Sequence, residues 1–213
     1  MKKILIVAVG AAIVLGIVFG ARAWKHSKQA SETASLAKVL EVAERPVRAE
    51  GEAVDAKKPS FGTLKERAAA VLDIMTKEGT DALGHAFKAG LLFDLGKFDE
   101  AIAEYRSCET QEGLDGVLCR EGLALSLEGK AAANQDSAAR QKGFEDALAA
   151  FKTMQPEDTG LRAAYAHYHQ ARLLALLGKR DDAKAAFEKA KELGKDLMDL
   201  PELIEKRLAT LGA

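Results

Sequence analysis

The chain has 213 residues, of which 30 % are charged, and its formal net charge is −1. This near-neutral balance, without a basic stripe interleaved with aromatic residues, argues against a nucleic-acid-binding protein. The sequence is rich in Ala, Leu, Glu and Lys and has only four prolines, which favours an all-α fold.

The N-terminal residues predict a membrane anchor. Two lysines precede an uncharged apolar run over residues 4–20, which is just long enough for a short membrane-spanning helix. A tryptophan and basic residues follow, as is typical of a membrane interface. A cleaved signal peptide is the alternative, because Ala21-Arg22-Ala23 has the form of a cleavage site, although the apolar run is long for a signal peptide. We assign residues 1–24 to an anchor that contacts the membrane through residues 4–21.

A connector over residues 25–60 separates this anchor from the remaining domain, residues 61–213. Its first part, residues 31–44, predicts a short helix, because apolar side chains recur on one face until Pro46 ends it. Residues 47–60 have little apolar surface to bury and predict a flexible linker.

An internal repeat follows the connector. The pattern Leu-Gly-Lys-x-Asp-acid-Ala-x-Ala-x-aromatic spans residues 95–105 and returns over residues 177–187, with a weaker, divided copy that begins at Gly129. The glycine of each copy is suited to end a helix in the left-handed conformation, and the acids are suited to cap the next helix. A helix, a tight turn and a second helix make an αα-hairpin, so the repeat predicts an array of hairpins.

Together with apolar residues at fixed offsets before each glycine, this pattern resembles the tetratricopeptide (TPR) repeat, whose period is about 34 residues. Gly96 and Gly129 are about one period apart, whereas the distance from Gly129 to Gly178 exceeds a period by about 15 residues. We place the extra residues at 131–143, in the turn of the middle hairpin, where repeat proteins accept insertions. The resemblance implies an α-solenoid with repeats at residues 82–113, 115–155 and 164–195, closed by a capping helix at residues 199–211.

Two further predicted helices flank the array. Residues 63–77 carry an apolar stripe and predict either the second helix of a degenerate first repeat or an N-terminal cap. At the other end, Pro201 suits the first turn of the capping helix, whose apolar face would cover the last repeat.

The two cysteines, Cys108 and Cys119, do not have the spacing of a zinc site. They fall in consecutive predicted helices, which adjacent antiparallel packing would bring close together. They form either a disulfide, which an oxidising compartment permits, or two small buried thiols.

No pattern for catalysis, a metal or a cofactor occurs in the sequence. It has no His-Glu-x-x-His motif, phosphate-binding glycine loop or nucleophile elbow. His167 and His169 are two residues apart on a helix and point to different faces, so they cannot easily share a metal ion. Residues 113–116 predict a turn between helices rather than a cofactor loop. We therefore expect a non-enzymatic protein without a cofactor or a bound metal.

The candidate binding site is the concave groove that the first helix of each TPR hairpin lines. Tyr165, Tyr168 and Arg172 share one helix face, and tyrosines with an arginine are typical of binding hot spots. The alternative is that these side chains cover the insertion or pack against the capping helix. The groove residues predicted from the repeat register are Phe87, Phe93, Asp94, Arg120, Tyr165, Tyr168, His169 and Arg172.

An anchor, a linker and a TPR array together resemble the YfgM-like family of ancillary subunits of the Sec translocon. The similar segments are residues 61–67, 79–102 and 120–124. The resemblance implies a single-pass protein of the bacterial inner membrane whose TPR domain lies in the periplasm. Such a protein would bind the translocon and periplasmic chaperones without catalysis. Two alternatives remain, a structural protein that forms homo-oligomers at the membrane and a periplasmic adaptor released by signal-peptide cleavage.

Overall fold

The computed structural model describes residues 25, 27–49, 51–52, 57–155, 157–160 and 162–211. Within these ranges the backbone forms nine α-helices, and the only β-structure is one isolated bridge. The predicted anchor, residues 1–24, lies outside the described ranges. None of the described helices is both long and apolar enough to span a membrane.

The chain divides into two compact units, of which the first ends at Ala82 and the second begins at Leu83. The first unit contains α1, residues 27–43, and α2, Leu64–Glu78. The structure thus differs from the predicted domain boundary at residue 61, because α2 belongs to the unit of α1. The described residues of the second unit form α3 (Gly84–Asp94), α4 (Phe98–Arg106), α5 (Gly113–Ala132), α6 (Ser137–Met154), α7 (Ala163–Leu176), α8 (Arg180–Leu193) and α9 (Leu200–Leu211).

In the first unit, α2 begins and ends at residues that satisfy its terminal backbone groups. The Thr63 hydroxyl accepts a hydrogen bond from the Glu66 amide, and the Glu66 carboxylate accepts one from the amide four residues before it. At the other end, Gly79 adopts a left-handed φ of 61°. Glu78, in the last turn, pairs with Lys38 of α1 at 2.8 Å and joins the two helices.

The connector between α1 and α2 is closed by backbone hydrogen bonds. The Arg48 amide donates to the Phe61 carbonyl and the Phe61 amide donates to the Pro46 carbonyl, both at 2.9 Å. The Arg48 side chain also donates to the Ser60 carbonyl at 3.1 Å. Backbone and side-chain hydrogen bonds therefore join the two ends of the predicted linker.

The second unit consists of three hairpins, α3–α4, α5–α6 and α7–α8, followed by α9. Each helix packs against the next within a hairpin, and consecutive hairpins are also in contact. Gly96 and Gly178 end the first helices of the outer hairpins with φ of 75° and 74°, as the repeat predicts. The amide after each of these glycines returns to a carbonyl of the preceding turn at 2.9 Å, so both turns are the same structure.

The middle hairpin differs from its prediction. Gly129 lies inside α5 and does not end it, and residues 113–116, predicted as a turn, are the first turn of α5. Residues 131–143, predicted as an insertion in the turn, mostly extend α5 and α6, so the turn shrinks to residues 133–136. Their alanines favour a helix, and Asp136 caps α6 by accepting a hydrogen bond from the amide three residues later at 2.7 Å.

Two clusters of buried side chains hold the hairpins together. The first lies among α5, α6 and α7 and includes Phe151 and Met154, both fully buried. The second joins α7, α8 and α9 through Phe187, Leu200 and Ile204. Helix α9 therefore covers the apolar face of the last hairpin, as the array requires.

Candidate binding face on the inner helices

The first helices of the hairpins, α3, α5 and α7, lie next to one another. Helix α3 contacts α5, and two arginine–carboxylate pairs join α5 to α7. We name the surface that these helices share the inner face. Every third or fourth residue of α5 belongs to it, which is the spacing of one helix face. This row consists of Leu114, Leu118, Glu121, Leu125 and Glu128.

Glu121 is a buried carboxylate at the centre of this face, with a residue exposure of 7 %. It accepts two hydrogen bonds from the Arg162 guanidinium, one of them from Nε at 2.9 Å, and lies 3.6 Å from Nε2 of His169. Burial raises the pKa of Glu121, but the hydrogen bonds from His169 and Arg162 and the charge of Arg162 outweigh it, so the pKa is lower than usual. The carboxylate is thus held in its charged form.

Two helical turns further along α5, Glu128 forms a second ion pair, which is bidentate, with Arg172. The two Nη–Oε distances are 2.5 and 2.8 Å. Burial lowers the pKa of Arg172, but the hydrogen bonds to Glu128 outweigh this and raise it. Arg172 also donates from Nη2 to Nδ1 of His169 at 3.1 Å, and because a guanidinium only donates, Nδ1 is the acceptor. His169 therefore connects the two ion pairs into one network.

Aromatic rings contact two members of this network, His169 and Arg162. The His169 ring stacks on Phe151 with centroids 4.7 Å apart and 15° between the planes. The Arg162 guanidinium lies 3.9 Å from the centroid of the Tyr165 ring, within the range of a cation–π contact. Arg162 was not among the predicted groove residues, and the signal that points to it is its position three residues before Tyr165, at the N-cap of α7.

Tyr168 is the clearest departure from the predicted groove. Its exposure is 7 %, and its ring packs against Phe187 with centroids 5.9 Å apart. It belongs to the cluster that includes Leu200 and Ile204 of α9. The packing alternative left open by the sequence is therefore the one adopted by Tyr168, because α9 covers the face to which it points.

The other predicted groove residues do not form one continuous surface. Phe93 is half-buried and packs edge-on against Phe98 with centroids 5.6 Å apart, and Phe87 is also half-buried. Asp94 is exposed at the end of α3. Arg120 points away from the inner face, since it donates to the backbone carbonyls of Glu109 at 2.7 Å and Met154 at 3.0 Å. Arg120 therefore links the connection between α4 and α5 to the end of α6, and its guanidinium is not available to a ligand.

Two exposed leucines of the inner face were not predicted. Leu114 and Leu118 are 46 % and 41 % exposed, although large apolar residues of helices normally face a core. They lie one turn apart at the start of α5 and precede Glu121 on the same row. The sequence signal for them is two leucines that precede a glutamate on one helix face. This pattern can be recognised only when residues 113–116 are assigned to the helix.

Close packing between the first two hairpins fixes the position of α5. A Cβ at Gly122 would lie 2.1 Å from Cζ of Tyr105, so only glycine fits here. Burial raises the pKa of Tyr105 to about 12, with smaller contributions from the charges of Asp94 and Glu121. The repeat aromatic of the first hairpin thus lies against the backbone of α5.

A disulfide joins Cys108 to Cys119, with Cα atoms 5.8 Å apart. Both residues are almost completely buried, at 2 % and 0 % exposure. The backbone segments next to the disulfide also approach each other closely, since a Cβ at Gly116 would lie 1.8 Å from the Gln111 carbonyl oxygen. The bond therefore fixes the connection between α4 and α5.

The described residues contain no cluster of His, Cys, Asp or Glu side chains arranged to bind a metal ion. In comparisons with known proteins, residues 164–195 match the tetratricopeptide repeat family model. The match covers the hairpin α7–α8. Searches of curated proteins and of solved structures gave no significant match. A TPR repeat is typical of non-enzymatic scaffolds that mediate protein–protein interactions.

Proposed function

We propose that this chain is a membrane-anchored scaffold that captures a segment of another protein on its inner face. The observation that carries the proposal is the pair of exposed leucines, Leu114 and Leu118, next to a rigid network of ion pairs. Apolar side chains exposed on a preorganised surface are typical of protein-binding sites. The TPR hairpin α7–α8 supports the same function.

The contact surface lies where α5 and α7 begin. Leu118 precedes Glu121 by one turn, the Glu121 carboxylate binds Arg162, and Arg162 covers the half-buried Tyr165 ring. Because both charged groups are already paired, a partner does not have to displace water from an unpaired charge. We expect the partner to contribute apolar side chains to the leucines and polar groups to the rim.

We further propose that the scaffold faces the periplasm of a bacterium and is attached to the inner membrane through residues 4–21. The disulfide between Cys108 and Cys119 supports an oxidising compartment, since such bonds are rare in the cytosol. The resemblance to ancillary translocon subunits suggests that the translocon or a periplasmic chaperone is the partner.

The test is crosslinking in native membranes, followed by purification of the tagged full-length chain and identification of the attached proteins. The double variant Leu114→Gln/Leu118→Gln should lose most of the crosslinked partner, because the glutamines remove the apolar contact. Both side chains are exposed, so the helical circular dichroism should not change. Leu64→Gln, a substitution at another exposed leucine, is the matched control and should retain the partner. Equal capture by the double variant would exclude the inner face as the site.

A further inference from the structure

We propose a second binding surface at the opposite end of α7, for a protein segment that presents an apolar side chain flanked by carboxylates. Its centre is Leu176, which is 59 % exposed at the end of the helix. We name it the Leu176 surface. It extends the proposed scaffold to a second partner contact and does not depend on Leu114 or Leu118.

Two depressions meet at Leu176, with volumes of about 290 and 270 Å³. The first lies between α6 and α7, and the second lies among α7, α8 and α9. Each is slightly smaller than typical pockets for small molecules, which begin at about 300 Å³, so each suits a side chain better than a cofactor. Because Leu176 lines both, one extended segment that crosses it can place side chains in the two depressions.

The first depression exists because α6 is extended. Ser137, Arg140 and Gln141, which line it, all belong to the extra residues 131–143, and Leu177 and Phe144 complete it. A hairpin that ended at Gly129, as the repeat register predicts, would lack this wall. The insertion therefore creates a surface that the repeat pattern alone does not provide.

The charges of both depressions favour an acidic ligand. Neither lining contains an Asp or Glu, whereas together they contain Arg140, Arg172 and Arg207. Arg172 is neutralised by Glu128. The Arg140 guanidinium donates to the Asn134 backbone carbonyl at 3.3 Å, and neither Arg140 nor Arg207 has a carboxylate partner among the described residues. Two guanidinium groups without a carboxylate thus flank the exposed leucine.

The apolar part of the surface favours a protein segment over a bare polyanion. Ala175, Phe187 and Leu211 line the second depression together with Leu176. Phe187 is buried at the base, but a ligand with carboxylates alone would leave Leu176 and the partly exposed Ala175 and Leu211 in contact with water. A ligand that combines carboxylates with a leucine-like side chain satisfies both the guanidinium groups and the apolar floor.

The experiment measures fluorescence polarisation of a labelled peptide, Ser-Asp-Glu-Leu-Glu-Asp-Ser, with the full-length protein in detergent. A control peptide has Asn and Gln in place of the acids. We expect the control peptide to bind about tenfold more weakly, and Arg140→Glu, Arg207→Glu and Leu176→Gln each to weaken the acidic peptide by about fivefold or more. Arg106→Glu, at an exposed arginine of α4, should bind like the wild type.

Several results would overturn the proposal. Equal affinity for the two peptides, or unchanged affinity in both arginine variants with native circular dichroism, would exclude carboxylate recognition at this surface. Tighter binding of a single-stranded oligonucleotide of similar length would assign the arginines to phosphates. Self-association that Leu176→Gln abolishes would identify a second copy of the chain as the occupant. The variant Leu114→Gln/Leu118→Gln should bind the peptide normally, so failure of the inner face and failure of the Leu176 surface are separate results.

Discussion

Among single residues, Glu121 couples the inner face to pH. Its pKa in the folded protein is lower than the ordinary value of 4.5, because the hydrogen bonds from His169 and Arg162 and the charge of Arg162 outweigh the effect of burial. A carboxylate with a lowered pKa stabilises the fold fully above the ordinary pKa, and this stabilisation is lost as the pH falls through the lower, folded-state pKa.

We therefore expect Glu121→Gln to lower the free energy of unfolding by about 2–3 kcal/mol at pH 7, because it leaves the Arg162 guanidinium without its carboxylate. The difference from the wild type should shrink below pH 4.5. Urea unfolding at pH 7, 5, 4 and 3, with steps chosen around that value, measures it. Glu145→Gln, at an exposed carboxylate of α6, is the control. A difference independent of pH would mean that Glu121 does not titrate in the folded state below its ordinary pKa.

Tyr105 lies near two helix glycines, and these form a matched pair for a second prediction. Gly122→Ala places a Cβ 2.1 Å from the ring, so we expect a loss of about 1–3 kcal/mol through overpacking. At Gly90 the nearest atom is the Tyr105 hydroxyl at 3.8 Å, so Gly90→Ala should gain about 0.5–1 kcal/mol from helix propensity. Thermal or urea unfolding measures both. Equal destabilisation by the two alanines would contradict the packing of Tyr105 on α5.

At the residue scale the sequence indicates which residues share a helix face but not what they contact. The helix register places Tyr165, Tyr168 and Arg172 on one face of α7, and the structure gives these three side chains different surroundings. It does not specify that Arg172 finds a carboxylate on α5 or that α9 buries Tyr168, since both contacts join residues far apart in the sequence. Such long-range contacts depend on how the helices pack, which local spacing does not determine.

Among the elements, the connection between α4 and α5 depends on the disulfide. The two cysteines are 11 residues apart, and closing a loop of that length stabilises a fold by about 3 kcal/mol in the chain-entropy model. We expect reductant to lower the free energy of unfolding by this amount, and Cys108→Ala/Cys119→Ala to remove the response. Urea unfolding with and without reductant measures it. Identical midpoints for the wild type would show that the bond contributes no stability.

The same scale explains why the middle hairpin was predicted incorrectly. The sequence identifies the extra residues, but their position after Gly129 suggests a loop because glycine usually ends a helix. In the structure Gly129 is required for a different reason, since a Cβ there would lie 2.5 Å from Cε1 of Phe98. A close approach by a neighbouring helix and a helix end both select glycine, and the sequence alone does not distinguish them.

At the scale of the whole molecule, the array of hairpins and the closing helix follow from the repeat, whereas the division at Ala82 does not. The helix α2 has the apolar stripe of a repeat helix, but Lys38 and Ser35 of α1 bind Glu78 at its end. Which helix pairs with α2 depends on these contacts, and the periodicity of α2 is the same in either arrangement.

The N-terminal segment belongs to this scale because, as the proposed membrane anchor, it would determine where the scaffold is located. We expect the mature protein to retain residues 1–24, because the apolar run is long for a signal peptide. Intact-mass spectrometry of the purified protein measures this directly, and extraction from membranes by detergent but not by carbonate should accompany it. A mass that lacks residues 1–23 would instead identify a soluble adaptor released by cleavage.

The presence of only two cysteines in the sequence simplifies the maturation of this scaffold. Two thiols allow a single intramolecular pairing, so no incorrect pairing has to be reversed within one chain. Maturation therefore needs an electron acceptor but no disulfide isomerase. The competing product is a covalent dimer, which forms in proportion to the concentration of unfolded chains. Dilute refolding with a simple oxidant should be sufficient to produce the native protein.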